Sequence, residues 1–447
     1  TRVLCEALGL SRTTVIKAYE LLLLEKIILS RPGSGNRINY SNTNKREIRS
    51  ASRIQKDSDL YPQISDKSKS FLKNRTLLNR LSNNNLAFRP CLPPIDVFPV
   101  NQWKKLLNIY WRHVKSSGLS YSKSTGLKEL KISISNYLNI SRNIKCDPDK
   151  IVIVSGSLQS LYLISNTLIN KGDGVVLENP VFPNVHSVFK SSEANLYPLK
   201  LDKEGIDIKS FISESNNSPK LVHVTPSNQY PLGMHMSLKR RQDILKWASS
   251  HKALIIENDY ENEIANHFTK TPTLYSLDNE DRTIYMGTFN RLLHPSIRLG
   301  YMVVPSYLTS ALEALQDHSH RFVSPSIQVV MNQFIEKNHL YQHIKNVIMT
   351  AKNRHSVFVK EFNEVSKKMY IQEKPFSSFH VLALFKTEVN LEDEKKLIDH
   401  LNSIGITTLP LSKCYIGTSS QKGLILGYSS VQISLMRNRL KLMSKFI

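Results

Sequence analysis

The chain lacks most of the features that would place it quickly. Its four cysteines, Cys5, Cys91, Cys146 and Cys414, lie far apart with no CxxC pair, which argues against a zinc site and against a disulfide framework. No apolar run reaches the roughly 18 residues that span a bilayer, so no membrane segment is expected. Acidic residues are scarce: 37 Asp and Glu stand against 60 Lys and Arg, a formal charge of +23. That excess favours a polyanionic partner such as nucleic acid, the alternative being solvated surface charge. The chain begins at Thr1, without Met and inside a periodic segment, so its natural N-terminus is expected upstream, and a reducing cytoplasm is the expected compartment. At 447 residues it exceeds what one core usually organises, and a large two-lobed domain with a smaller one is expected.

Residues 1–40 supply the smaller one. Val3, Leu4, Ala7 and Leu8 have helical spacing, Gly9 can supply a left-handed turn, and Ser11 is a good N-cap for a second helix running to about Glu25. This is a helix-turn-helix pattern. Val15, Ala18, Tyr19, Leu22 and Leu23 form its expected inward face, and Arg12, Thr13, Thr14 and Lys17 lie where a recognition helix meets bases and phosphates. The following "IILSRPGSGNRI" reads as two short strands about a Pro-Gly-Ser-Gly turn, with Arg31 and Arg37 flanking it as a basic wing. A small capping subdomain with solvated arginines is the alternative. The stretches "SRTTVIKAYELLLLEKII" and "RPGSGNRI" resemble the winged helix of the GntR family of bacterial regulators, except that Lys26 stands where that family usually has glycine. The resemblance implies double-stranded DNA as partner.

Residues 41–85 are rich in Ser, Asn, Lys and Arg and read as a flexible basic linker that adds a salt-sensitive attraction to phosphates. From residue 86 the pattern changes. The runs "KIVIVSG", "GVVLENP", "KLVHVTP", "ALIIENDY" and "TIYMGTF" alternate with helical stretches, as in a mostly parallel α/β sheet. Polar clusters close several of these runs, where such sheets bind ligands. With "FRPCLPPIDVFP", "YSKSTGLKELKISISNYL", "PSNQYPLGMHMSLKRR" and "RLGYMVVP" in order, residues 86–447 resemble a fold-type I aminotransferase dependent on pyridoxal phosphate (PLP). A large lobe over about 100–320 and a small lobe over about 321–447 are expected. The whole chain is similar to MocR-type regulators of the GntR family, in which such a domain senses an effector.

The resemblance also assigns a site and exposes departures from it. The family's Schiff-base lysine falls on Arg291, and a delocalised guanidinium that stays protonated cannot form that link. The aspartate that pairs with the pyridine nitrogen falls on Asn258, with Asp259 one residue out of register, and Tyr260 keeps the position that contacts the 3-hydroxyl. Leu158 replaces a usual glutamine, Asn228 a histidine, Leu232 a threonine, and Ile425 stands where many aminotransferases clamp a carboxylate with arginine. Ser157, Thr288 and Arg298 match the family's phosphate contacts, and Phe182 its ring-stacking aromatic. The expectation is a homodimeric DNA-binding regulator whose sensor lobe has no catalytic residue, holds PLP at most non-covalently, and uses Arg291 and Arg298 together to favour a doubly charged or phosphorylated small molecule. Two other readings stay open: an active PLP enzyme using a lysine elsewhere, and a ligand-independent DNA-binding dimer.

Overall fold

The structure is a computed structural model that describes residues 2–31, 33, 35–39, 62–78, 87–211, 218–265, 271–372 and 374–447. It divides into two compact units, Thr1–Ser65 and Asp66–Ile447.

In the first unit α1 (Arg2–Leu8) and α2 (Arg12–Leu24) are followed by an antiparallel hairpin of β1 (Ile28–Arg31) and β2 (Gly35–Ile38). Gly9 makes the inter-helix turn at φ +62°, and Ser11 Oγ caps α2 by accepting from the Thr14 N–H at 3.2 Å. Lys26 adopts φ +57° just past the end of α2, which gives the physical reason a glycine suits this position. The expected inward face of α2 needs correction: Val15 is buried, Tyr19 and Leu22 are half-buried, and Ala18 and Leu23 are exposed. Two short helices and one hairpin offer too little surface to enclose all five.

The second unit carries an eight-stranded sheet built from β3 (Ile151–Val154), β4 (Gly174–Asn179), β5 (Asn195–Asp202), β6 (Gly205–Ile206), β7 (Leu221–Val224), β8 (Leu254–Asn258), β9 (Thr283–Thr288) and β10 (Gly300–Val303). Their order is β3-β10-β9-β8-β7-β4-β5-β6. The pairs from β9 through β8, β7 and β4 to β5 are parallel, while β10 runs antiparallel to both β3 and β9 and β6 antiparallel to β5. Val, Ile and Leu fill β3, β4, β7 and β8 because helices cover both faces. The five apolar runs singled out in the sequence are β3, β4, β7, β8 and β9.

A second, antiparallel sheet of β11 (Met369–Ile371), β12 (His380–Phe385), β13 (Leu409–Pro410) and β14 (Gly423–Gly427) organises the small lobe. The expected lobe boundary shifts on both sides. The helix Pro325–Glu336 sends Val330, Met331 and Phe334 into a core with Leu106 of α4 (Val100–His113) and Leu130 and Ile134 of α5 (Lys128–Arg142), so it belongs to the large lobe. Conversely Phe88 lies in the small-lobe core, and Ala87 and Phe88 accept backbone bonds from Thr407 and Gly427.

The expected flexible linker over 41–85 is corrected in its described part. Residues Asp66–Lys73 form a helix, α3, followed by a 3₁₀ turn at Arg75–Leu77. Phe71 meets Tyr162, Lys67 Nζ donates to Asn166 Oδ1 at 2.6 Å, and Ser187 Oγ donates to the Asn74 carbonyl at 3.3 Å. These contacts with the large lobe give the segment a fixed seat that its polar composition hides. Residues 41–61 and 79–85 of that expectation lie outside the described residues.

At the edge of the small lobe, Gly427 passes so close to the 88–91 loop that an added Cβ would lie 2.0 Å from the Arg89 carbonyl oxygen. Gly427→Ala is therefore expected to lower stability by roughly 1–3 kcal/mol or more, measured by urea unfolding of the full chain.

Candidate functional site

Beyond the carboxyl ends of the parallel strands lies a cleft of about 310 Å³. It gathers eight of the nine residues expected there: Ser157, Leu158, Phe182, Asn258, Tyr260, Thr288, Arg291 and Arg298. Asn228 is the exception. It is 2% exposed and turned away, its Nδ2 donating to Glu261 Oε2 at 3.3 Å.

One end of the cleft gathers hydrogen-bond donors and positive charge. Helix α6 (Ser157–Leu168) begins there behind Gly156, whose φ of +124° no other residue type adopts easily, and among the described residues no side chain caps its first turn. The loop from Thr288 to Arg298 is stapled beside it by Asn290, whose Nδ2 donates to the Ser155 carbonyl at 3.2 Å and whose Oδ1 accepts from the Leu299 N–H at 2.9 Å. Asn290 thus positions this loop. Arg298 is exposed and donates to Ser155 Oγ at 3.2 Å.

The floor is different. Asn258 and Tyr260 point into the cleft, and among the described residues Asn258 Oδ1 and the Tyr260 hydroxyl have no hydrogen-bond partner. Behind Asn258, 3.4 Å from its amide nitrogen, stands Nε2 of His223, a ring that burial pushes down to about 4 and so keeps neutral. Asp259 faces the other way: its Oδ2 takes Arg142 Nη2 at 2.7 Å and the Tyr285 hydroxyl at 2.7 Å. A shift that brought Asp259 into the cleft would strand a buried guanidinium.

Arg291 dominates the other end. Its guanidinium lies 5.3 Å from the centre of the Tyr260 ring and 5.8 Å from that of Phe182. Its Nη1 is 3.4 Å from Oε1 of Glu261, a fully buried carboxylate. Burial works against the Arg291 charge, which its neighbours Cys91, Glu261 and Tyr260 hold in place, Glu261 alone of the three carrying the opposite charge near neutral pH. Burial likewise pushes the Glu261 carboxyl up, with Arg291, Ser378 and the Phe379 N–H pulling it back. The expectation that Arg291 and Arg298 jointly await an anion is corrected here, because Arg291 already has its counter-charge inside the protein. Sequence reading also missed Cys91, which stands at φ +72° with Sγ 3.8 Å from the Tyr230 hydroxyl and lines the same end.

These residues fit PLP only in part. Ser157, Thr288, Arg298 and the start of α6 suit a phosphate, and the free polar atoms of Asn258 and Tyr260 suit a ring's substituents. At the position the resemblance gives to the Schiff-base lysine the fit fails, since Arg291 is no amine nucleophile and lies against the aromatic faces a ring would use. Among the described residues no lysine lines the cleft, and no group of three or more His, Cys, Asp or Glu is placed to hold a metal ion.

Glu261→Gln leaves the half-buried Arg291 without its partner and is expected to cost roughly 1–3 kcal/mol of stability. Adding Arg291→Met to that variant should recover most of the loss. Urea midpoints of the two single variants and the double variant test the coupling; additive losses would show that the pair carries none.

The profile of the aminotransferase class I and II family matches residues 82–420. Over 98% of its length the chain is 30% identical to the probable rhizopine catabolism regulatory protein MocR of Rhizobium meliloti, covering 86% of that protein. It is 25% identical, over 96% of its length and 86% of the relative's, to the HTH-type pyridoxine biosynthesis transcriptional regulator PdxR of Corynebacterium glutamicum. Among solved structures, the kynurenine aminotransferase of Pyrococcus horikoshii shares the fold with a TM-score of 0.73 at 22% identity, over 90% of this chain and 98% of that one. The fold is that of a fold-type I aminotransferase, and the chain belongs to the aminotransferase class I and II family, in the MocR-like group of helix-turn-helix regulators that carry such a domain.

Proposed function

We propose that this protein is a DNA-binding transcriptional regulator whose aminotransferase-like domain senses a small anion and forms no Schiff base with PLP. The observation that carries the second half is the Arg291–Glu261 pair: the residue in the lysine position is a fixed cation with a fixed partner. An enzyme using another lysine is disfavoured by the absence of lysine from the cleft lining among the described residues. PLP, where it binds, is held non-covalently, its phosphate at Ser157, Thr288 and Arg298.

The DNA-reading half rests on the relatives and on α2. Arg12, Thr13 and Lys17 are exposed on its first turns, and Arg31 and Arg37 are exposed on the hairpin. Thr14 is partly committed, its hydroxyl 2.8 Å from Ser11 Oγ, so its role is to set the start of the helix as much as to reach DNA. Two such units in a homodimer would read a repeated operator.

Two experiments test this reading. Full-length protein mixed with PLP, reduced with borohydride and dialysed should retain no chromophore, whereas Arg291→Lys should retain one. A chromophore fixed to the unmutated chain would overturn the proposal. Separately, Lys17→Ala should weaken binding to duplex DNA and lower the slope of log affinity against log salt by about 1. Fluorescence anisotropy across a salt series reads this, and an unchanged slope removes Lys17 from the phosphate contacts.

A further inference from the structure

A second cavity, of about 250 Å³, adjoins the cleft across Leu158 and Arg298. Most of its wall is apolar: Phe71 and Leu78 from the segment around α3, Leu158 and Tyr162 from α6, and Val188 from α7 (Pro183–Ser191). Arg298 and Ser155 stand together at one side, joined by the 3.2 Å bond from Nη2 to Oγ. Phe71 and Leu78 lie ahead of the 82–420 stretch that matches the aminotransferase family.

We infer that this cavity is a ligand site of its own, taking a small anion that carries an apolar tail: the head on Arg298 and Ser155, the tail beneath α3. The inference rests on Arg298 as the anion-holding residue of the proposed function and adds the tail and its seat. Arg298 has the right chemistry for the head. Its hydrogen bond to Ser155 is to a neutral hydroxyl, and its side chain is exposed. The tail has a reason to stay. Helix α3 contains no buried residue and is held through Lys67, Phe71 and Asn74 around a space that its own side chains leave open. Filling that space adds apolar contact on both sides and fastens α3 to α6 and α7. Among the described residues α3 is the next element after the hairpin of the DNA-reading unit, so its docking is a state a ligand can report onward.

The test uses full-length protein and three probes: inorganic phosphate, ethyl phosphate and n-hexyl phosphate. Calorimetry should show n-hexyl phosphate binding at least tenfold tighter than ethyl phosphate, since each buried methylene is worth about a fourfold gain. Hydrogen exchange over residues 66–78 should slow with n-hexyl phosphate and stay unchanged with inorganic phosphate. Val188→Phe, which fills the cavity, should remove the tail-length gain while inorganic phosphate binds as before. Leu78→Asp, on a half-buried loop position, carries the same expectation should Val188→Phe fail to fold. Affinity independent of tail length, or no protection of 66–78, overturns the cavity as a site while leaving the anion-sensing reading intact. No binding of any of the three phosphates overturns both.

Discussion

The carboxylate of Glu261 is the interaction on which the cleft depends. It is fully buried, and each oxygen has work to do: Oε1 balances Arg291, while Oε2 accepts from Ser378 Oγ at 2.9 Å, the Phe379 N–H at 3.3 Å and Asn228 Nδ2 at 3.3 Å. Glu261 sits in the turn after β8 of the large lobe, whereas Ser378 and Phe379 lead into β12 of the small lobe. One buried charge therefore ties the two lobes together and fixes the guanidinium between Phe182 and Tyr260. Such a charge is stable only while every partner is present, because the desolvation of a carboxylate exceeds any one of these bonds.

The geometry of β8 explains why the neighbouring acids do not compete for this role. Side chains alternate along the strand, so Asn258 and Tyr260 face the cleft while Glu257 and Asp259 face away. Glu257 is used to accept from the Leu274 and Tyr275 N–H groups at 2.9 Å each, and Asp259 to hold Arg142. After Tyr260 the chain turns into the short helix Asn262–Ala265 and the alternation ends, which is how Glu261 comes round to the Arg291 side.

Much of this was legible in the sequence, and what was hidden has physical causes. The strands that end in polar clusters could be read, because a parallel sheet covered on both faces needs continuous apolar runs and places its ligands at one end. Glu261 could not be paired with Arg291 by spacing. Their meeting depends on β8 and β9 being parallel neighbours, with Asn258 opposite Met286, and on a turn that breaks the period of two. A signal was nonetheless present: an arginine at the position that the resemblance gives to a lysine, beyond one strand, and a surplus of acids beyond another. Helix α3 was hidden for a different reason. Its seat comes from one aromatic and two hydrogen-bonding residues, too few to mark a polar stretch as ordered, and the lobe boundary moved because the 321–337 stretch packs by the apolar face of one helix rather than by chain position.

The charge balance of the cleft follows from these contacts and limits which ligands would suit it. In the lysine-bearing family the nucleophile must be able to lose its proton, so a permanent counter-ion beside it would oppose the chemistry. A guanidinium has no such requirement and, once half-buried, gains from a counter-ion of its own; Glu261 supplies it. The Arg291 end of the cleft is then close to neutral, lined by aromatic faces and the Cys91 thiol, which burial pushes up and so keeps protonated. The net positive charge resides at the opposite end, on Arg298 and the first turn of α6. A ligand complementary to this distribution places its anionic group at Arg298 and an uncharged, polarisable part toward Arg291. A ligand charged at both ends would have to compete with Glu261 for Arg291, and would loosen the tie between the lobes in doing so.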